Sequence, residues 1–393
     1  MLKNDQTWSA KIGNQTIEFA TGKLAAQAGA AIIATAGETI VLATATVSKT
    51  AREGLDYLPF MVDFEEKFYA AGKINGSRYI KREGRPSDNA TITSRLIDRP
   101  LRPLFPKTFR RDIQVIVTVL SLDDENDPDT LAINAASAAL MRCVAAPFQG
   151  PIAAVRIGRV NNELVVNPTK TQMLTSDLDL VVAGTRERVM MLEAGANELP
   201  DELLFDAIKL AIEAIQPCLD TQDQMVAEAE VTTSVEEDVL LSVYEVVKSR
   251  FNEPMRAVTL IVDEDERELA YDQLKAKIGE ELEGELKQID IAQAVEMLYN
   301  KLIRLNILEK DHRPDGRAIT DVRPVSVEVS VLPRPHGSAV FQRGASQSLS
   351  IVTLAGPGAK QLIDTMDEDT SKRYLHHYNF PPYSTGETAP LRG

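Results

Sequence analysis

A repeat narrows the fold more than any other feature of this chain. GAAIIATAGETIVLATATV, from Gly29 to Val47, and HGSAVFQRGASQSLSIVTL, from His336 to Leu354, alternate in the same way at a constant offset of 307. Gly37 matches Gly344, Thr39 matches Ser346, Leu42 matches Leu349 and Thr46 matches Thr353. Alternation with a period of two predicts half-buried strands, and a glycine between two such runs predicts an antiparallel hairpin. The chain is therefore expected to use one hairpin-based unit twice. A second full unit would need as much chain as the first, and the stretch that follows the second hairpin is shorter.

Outside the copies further elements are expected. WSAKIGNQTIEF predicts a further hairpin about Gly13-Asn14, DIQVIVTVLSL a strand, and Asp127-Pro128-Asp129 the opening of a small-residue helix, LAINAASAALMRCVAA. In the basic stretch before that strand, Asp88 is a candidate helix N-cap and Pro100 a candidate helix stop. Strands are expected around Asn161-Asn162, over LDLVVAGT and over RVMMLEAG, followed by the helix ELPDELLFDAIKLAIEAIQ. After Thr232 the text becomes charged and Leu-rich with helical spacing, which predicts a three-helix insert. RPDGR, from Arg313 to Arg317, is loop chemistry. The fold class is α+β, with boundaries at 1–232, 233–311 and 312–393: a mixed domain, an all-α domain and the start of a second mixed domain.

Charge is distributed unevenly. The whole chain carries a formal net charge of -15, yet from Lys73 to Arg111 eleven Lys and Arg face three acids, Glu83, Asp88 and Asp98. An acidic body argues against coating duplex DNA; a local basic aperture suits a single strand. Arg78, Tyr79, Lys81, Arg82 and Arg85, with Gly76 and Gly84 beside them, combine phosphate-binding forks with a stacking ring and are the candidate contacts for RNA. Arg95 and Arg99 are four residues apart on an expected helix and share a face, which suits either a phosphate-binding cleft or a domain interface. Cys143 and Cys218 lie within or next to apolar helical text and read as buried thiols. His376-His377 lacks a third ligand at metal-binding spacing. No apolar run approaches the roughly 20 residues of a membrane helix, and Met1 to Ala10 lacks the features of a signal peptide, so a cytoplasmic protein without a membrane partner is expected.

GKINGSRYIKREGRPSD, SRLIDRPLRPLFP, LDLVVAGT, RPDGR, LPRPHGSAVFQRG and HHYNFPPYSTGET together resemble the bacterial polynucleotide phosphorylase family over essentially the whole chain. The resemblance implies two ribonuclease-PH-like domains joined by an all-α domain, with further RNA-binding domains beyond. It also implies a homotrimeric ring, 3′-to-5′ phosphorolysis of single-stranded RNA or mRNA to nucleoside diphosphates, reversal as a polymerase, and association with RNA-degradation machinery. A divalent metal, Mg2+ or Mn2+, is implied for the full-length enzyme. The family's catalytic and metal-binding groups follow the YNFPPYS-GET motif, so no catalytic residue or metal ligand is expected within these 393 residues. Arg95, Arg99 and Arg102 fall in the first copy's phosphate- or nucleotide-like cleft. Asp179 occupies the family's catalytic aspartate position, but Val181 stands where the lysine would be, implying a carboxylate without its cation. The entrance loop has one aromatic, Tyr79, where the family has two. The alternative is a non-catalytic RNA-binding ring or scaffold subunit.

Overall fold

The computed structural model describes residues 6–51, 55, 57–74, 84–123, 125–228 and 239–391. They divide into two compact units, 1–319 and 320–393.

The first unit opens with β1 (Gln6–Ile12), β2 (Gln15–Thr21), β3 (Ala30–Ala36) and β4 (Thr39–Ala51). Gly13 and Gly37 take φ of 59° and 62° at the two tight turns, a conformation that glycine adopts without steric cost. β5 (Phe60–Glu65) then leads to α1 (Asp88–Leu101) and β6 (Arg111–Ser121). The six strands form one sheet in the order β1-β2-β3-β4-β6-β5, antiparallel except where β5 runs parallel to β6.

Helix α2 (Pro128–Arg142) is buried on nearly every side. Its small residues let it lie against β3, β4 and β6 and also against β7 (Ala153–Val160). The polar residues this buries are satisfied. Asn134 donates to the Ala154 carbonyl and accepts from the Ala154 N–H, while Ser137 accepts from the Ile152 N–H and donates to Gln222. β8 (Glu163–Val166), the short α3 (Lys170–Met173), β9 (Leu178–Gly184) and β10 (Val189–Ala196) complete a four-stranded antiparallel sheet, β10-β9-β7-β8. α4 (Asp201–Ala214) packs on β7, β8 and β9, and α5 (Gln216–Ala227) on β1 and α2.

Three helices follow: α6 (Val239–Val258), α7 (Glu264–Glu281) and α8 (Gln288–Lys310). They enclose a core of their own, with Val247, Met255, Ile278, Leu282, Ala294 and Val295 fully buried and Tyr271 against Tyr299 at 4.6 Å. In the second unit, β11 (Val325–Val329), β12 (Gly337–Arg343) and β13 (Ser346–Val352) form an antiparallel sheet, and β14 (Gln361–Asp364) pairs with β15 (Asp369–Lys372). The repeat holds in register. Ala30 faces Ala45 and Ala36 faces Thr39 in the first hairpin; Gly337 faces Val352 and Arg343 faces Ser346 in the second, each 307 residues later.

Several local expectations change. Ser87, rather than Asp88, caps α1: its Oγ accepts from the Ala90 N–H and donates to Glu66, leaving Asp88 as the first helical residue. Pro100 does not stop the helix, which runs to Leu101 and passes into a 3-10 turn at Arg102–Leu104. A proline so close to the end forfeits one hydrogen bond without a further turn to disrupt. The helix expected through Gln216 ends at Ala214, and α5 starts anew with Pro217 in its first turn; neither α5 nor α3 is expected from the sequence.

Candidate functional site

A cleft of about 400 Å3 lies where α1 meets β9 and β10 at the N-terminal end of α2. Its lining includes Arg95, Arg99, Asp129, Arg156, Asp179 and Glu193. Helical spacing puts Arg95 and Arg99 on one face of α1, as expected. Arg99 reaches Glu193 at 2.7 Å, with both side chains more than half exposed. Such a pair contributes about 0–1 kcal/mol, so its guanidinium is readily available to an arriving anion. Arg95 has no ion pair among the described residues.

The opposite wall is organised by Arg156, on β7. Antiparallel pairing sets Arg156 directly across from Val181 and Gly158 across from Asp179. Arg156 and Asp179 therefore share a face of the sheet, two positions apart, and Arg156 Nε lies 2.9 Å from Asp179 Oδ1 as an ion pair. The two remaining guanidinium nitrogens take Asp127 at 2.5 Å and Asp129 at 2.8 Å, the cap and the first turn of α2. One half-buried cation thus gathers three carboxylates from two elements. Asp179 is not a carboxylate without its cation: the charge absent at Val181 comes from the facing strand.

These contacts shift both sides of the cluster. Burial, reinforced by repulsion from Asp127, pushes the Asp129 carboxyl up to about 7 against the pull of Arg156. Burial would lower Arg156, but the three carboxylates outweigh it and raise its pKa. Three carboxylates cannot all ionise cheaply around one guanidinium, so the most buried of them keeps its proton to higher pH.

The remaining candidates fall elsewhere. Arg102 is absent from the cleft wall. Its guanidinium holds Asp98 through two bonds of 2.7 and 2.9 Å, donates to the Phe60 carbonyl at 2.8 Å and lies over the Phe60 ring, fastening the end of α1 to β5. Arg85 is exposed two residues before the α1 cap. Arg78, Tyr79, Lys81 and Arg82 lie outside the described residues. Sequence reasoning missed Arg156 and Glu193 and took Asp127 and Asp129 only as a helix opening. The one available signal was an arginine within the apolar strand AAVRIG.

A divalent metal does not fit this cleft. Among the described residues, no three His, Cys, Asp or Glu side chains are arranged to hold a metal ion. The acids that converge here already surround a guanidinium. Both cysteines are buried thiols raised by burial, Cys218 to about 12. No helix among the described residues is long and apolar enough to cross a membrane.

Family comparisons agree with this architecture. The 3′ exoribonuclease family domain 1 matches twice, over residues 14–145 and 321–393, as the repeated hairpin would require. Domain 2 of that family matches residues 150–214, and the polyribonucleotide nucleotidyltransferase RNA binding domain matches 242–318, the stretch that holds α6 to α8. A crystal structure of rice (Oryza sativa) Rrp46 covers 57% of this chain and 96% of its own, at 15% identity and a TM-score of 0.44, too loose a likeness to add to the assignment. Proteins named polyribonucleotide nucleotidyltransferase are 43% identical in Halothermothrix orenii, over 98% of this chain and 56% of theirs, and 43% identical in Heliobacterium modesticaldum, over 99% and 55%. That of Chloroflexus aurantiacus is 44% identical over 98% and 52%. The chain spans about half the length of these curated relatives and, by identity across nearly all of its own length, belongs to the polyribonucleotide nucleotidyltransferase family.

Proposed function

We propose that this chain serves a phosphorolytic 3′-to-5′ exoribonuclease that degrades single-stranded RNA, mRNA included, with inorganic phosphate to nucleoside diphosphates and can run in reverse as a polymerase. Identity of 43% over 98% of the chain to proteins named for nucleotidyl transfer carries the proposal. Phosphate would attack the terminal phosphodiester in line, and positively charged groups would stabilise the transferring phosphoryl.

Within these residues the proposal assigns RNA positioning rather than bond cleavage. Arg95 and Arg99 contact phosphodiester in the cleft, and Arg85 with Arg78, Tyr79, Lys81 and Arg82 attracts and stacks the incoming strand. Arg102 holds α1 rather than ligand. Mg2+ or Mn2+ is assigned to the whole enzyme, with ligands other than the residues of this cleft. Domains at 1–232, 233–311 and 312–393, a homotrimeric ring, a cytoplasmic location and contact with RNA-degradation machinery belong to the same proposal. A non-catalytic RNA-binding ring subunit is the second reading, favoured by the closure of the Asp179 cluster on Arg156.

The deciding experiment measures phosphate-dependent nucleoside diphosphate release from 3′-labelled single-stranded RNA with Mg2+, using this chain and one of the relatives' full length. Activity in the longer chain alone supports the exoribonuclease reading. Activity in this chain moves catalysis into the first unit, and activity in neither favours the binding subunit. Arg95→Ala and Arg99→Ala are each expected to weaken RNA binding evenly across sequences and to reduce the salt dependence by about one counterion.

A further inference from the structure

Arg156 is an unusual neighbour for three carboxylates in a cleft. Its side chain is 17% exposed, it sits on a strand whose other residues are largely apolar, and it hydrogen-bonds Asp127 and Asp129 while its Nε lies 2.9 Å from Asp179 as an ion pair without a hydrogen bond. The carboxylates come from the cap and first turn of α2 and from β9, so backbone elements rather than a flexible loop hold them around the guanidinium. Mg2+ or Mn2+ recruits such acids, but Mg2+ demands oxygens at about 2.1 Å in octahedral order. Here the oxygens are spread around the rim of a planar fork, at 2.5, 2.8 and 2.9 Å from three different nitrogens. Unlike a bound ion, that fork is covalently retained and stays charged at any physiological pH.

We propose that Arg156 is the resident cation of this cleft: its guanidinium occupies the space between Asp127, Asp129 and Asp179 and holds their oxygens apart, so that the first copy binds no divalent metal. The geometry accounts for Val181 as well. With Arg156 directly across the strand pair, a lysine at 181 would bring a second cation to carboxylates that are already paired. Asp179, 47% exposed, is held by Arg156 with part of its carboxylate facing the cleft. The inference concerns cation and carboxylates only and stands whether or not the cleft binds RNA.

Manganese(II) alone is the probe, titrated into the full chain and followed by the electron paramagnetic resonance of the free ion. The wild-type chain and Asp179→Asn are expected to give the same isotherm, because no ion sits on Asp179. Arg156→Ala is expected to gain one Mn2+ site that the double variant Arg156→Ala/Asp179→Asn loses. A site present in the wild-type chain and lost in Asp179→Asn overturns the proposal, and so does a folded Arg156→Ala variant that gains none. Should circular dichroism show Arg156→Ala to be unfolded, the comparison of wild type with Asp179→Asn decides alone.

Discussion

Arg156 and Asp129 set the electrostatics of the cleft, and each makes a separate prediction. Removing one partner of a buried ion network leaves uncompensated charge, which costs about 3–5 kcal/mol in well-buried cases. Because Asp127 and Asp179 reach solvent, Arg156→Ala is expected near the lower end, about 3 kcal/mol, read as a drop in urea midpoint. Asp129 predicts a pH dependence. Its carboxyl holds a proton more tightly folded, with a value of about 7, than at its ordinary 3.8. Its contribution to stability is therefore complete below 3.8 and is lost as pH rises towards about 7. Asp129→Asn should flatten the stability profile across that window; an unchanged slope in urea unfolding from pH 4 to pH 7 would sink the assignment. At the residue scale the one signal was the arginine within AAVRIG, and its partners were not legible. Arg156 and Asp179 are far apart in the chain, and only the register of β7 on β9 brings them to one face.

At the scale of elements, local chemistry was a good guide. The hairpins about Gly13-Asn14, Gly37-Glu38 and Asn161-Asn162 were legible because a tight turn is decided by the residues within it. Tertiary contacts then raise the stakes at Gly37. The Glu38 N–H donates to Asp123, and a Cβ on Gly37 would press on Asn126 and Asp123 as well as occupy a left-handed backbone. Gly37→Ala is expected to cost about 1–2 kcal/mol or more, measured by thermal or urea unfolding. Ser87→Ala should cost about 1 kcal/mol through loss of the α1 cap and should loosen the helix that carries Arg95 and Arg99. Its check is a parallel fall in stability and in RNA affinity. Helix α5 was not legible, because its first turn contains a proline and follows α4 after a single residue, so the text reads as one helix and a loop.

For the whole molecule, the change from alternating to helical spacing identified the three-helix insert, and its core is built from α6, α7 and α8 themselves. A fragment spanning residues 239–319 is accordingly expected to fold alone, with a cooperative helical melt by circular dichroism; a featureless melt would show that it depends on the rest of its unit. The repeated hairpin marks the limit of such reading. In the first copy, Ile32, Ala34, Val41 and Ala43 are fully buried on the face that α2 covers. Their counterparts 307 residues on include Phe341 at 43% exposure and the exposed Ser348 and Ser350. By itself the sequence determined the turns, the strand and helix periods and the order of the units, because those depend on backbone conformation and on neighbours a few residues away. Tertiary structure alone decided which cation Asp179 meets, because ion pairing depends on what distant segments bring into contact.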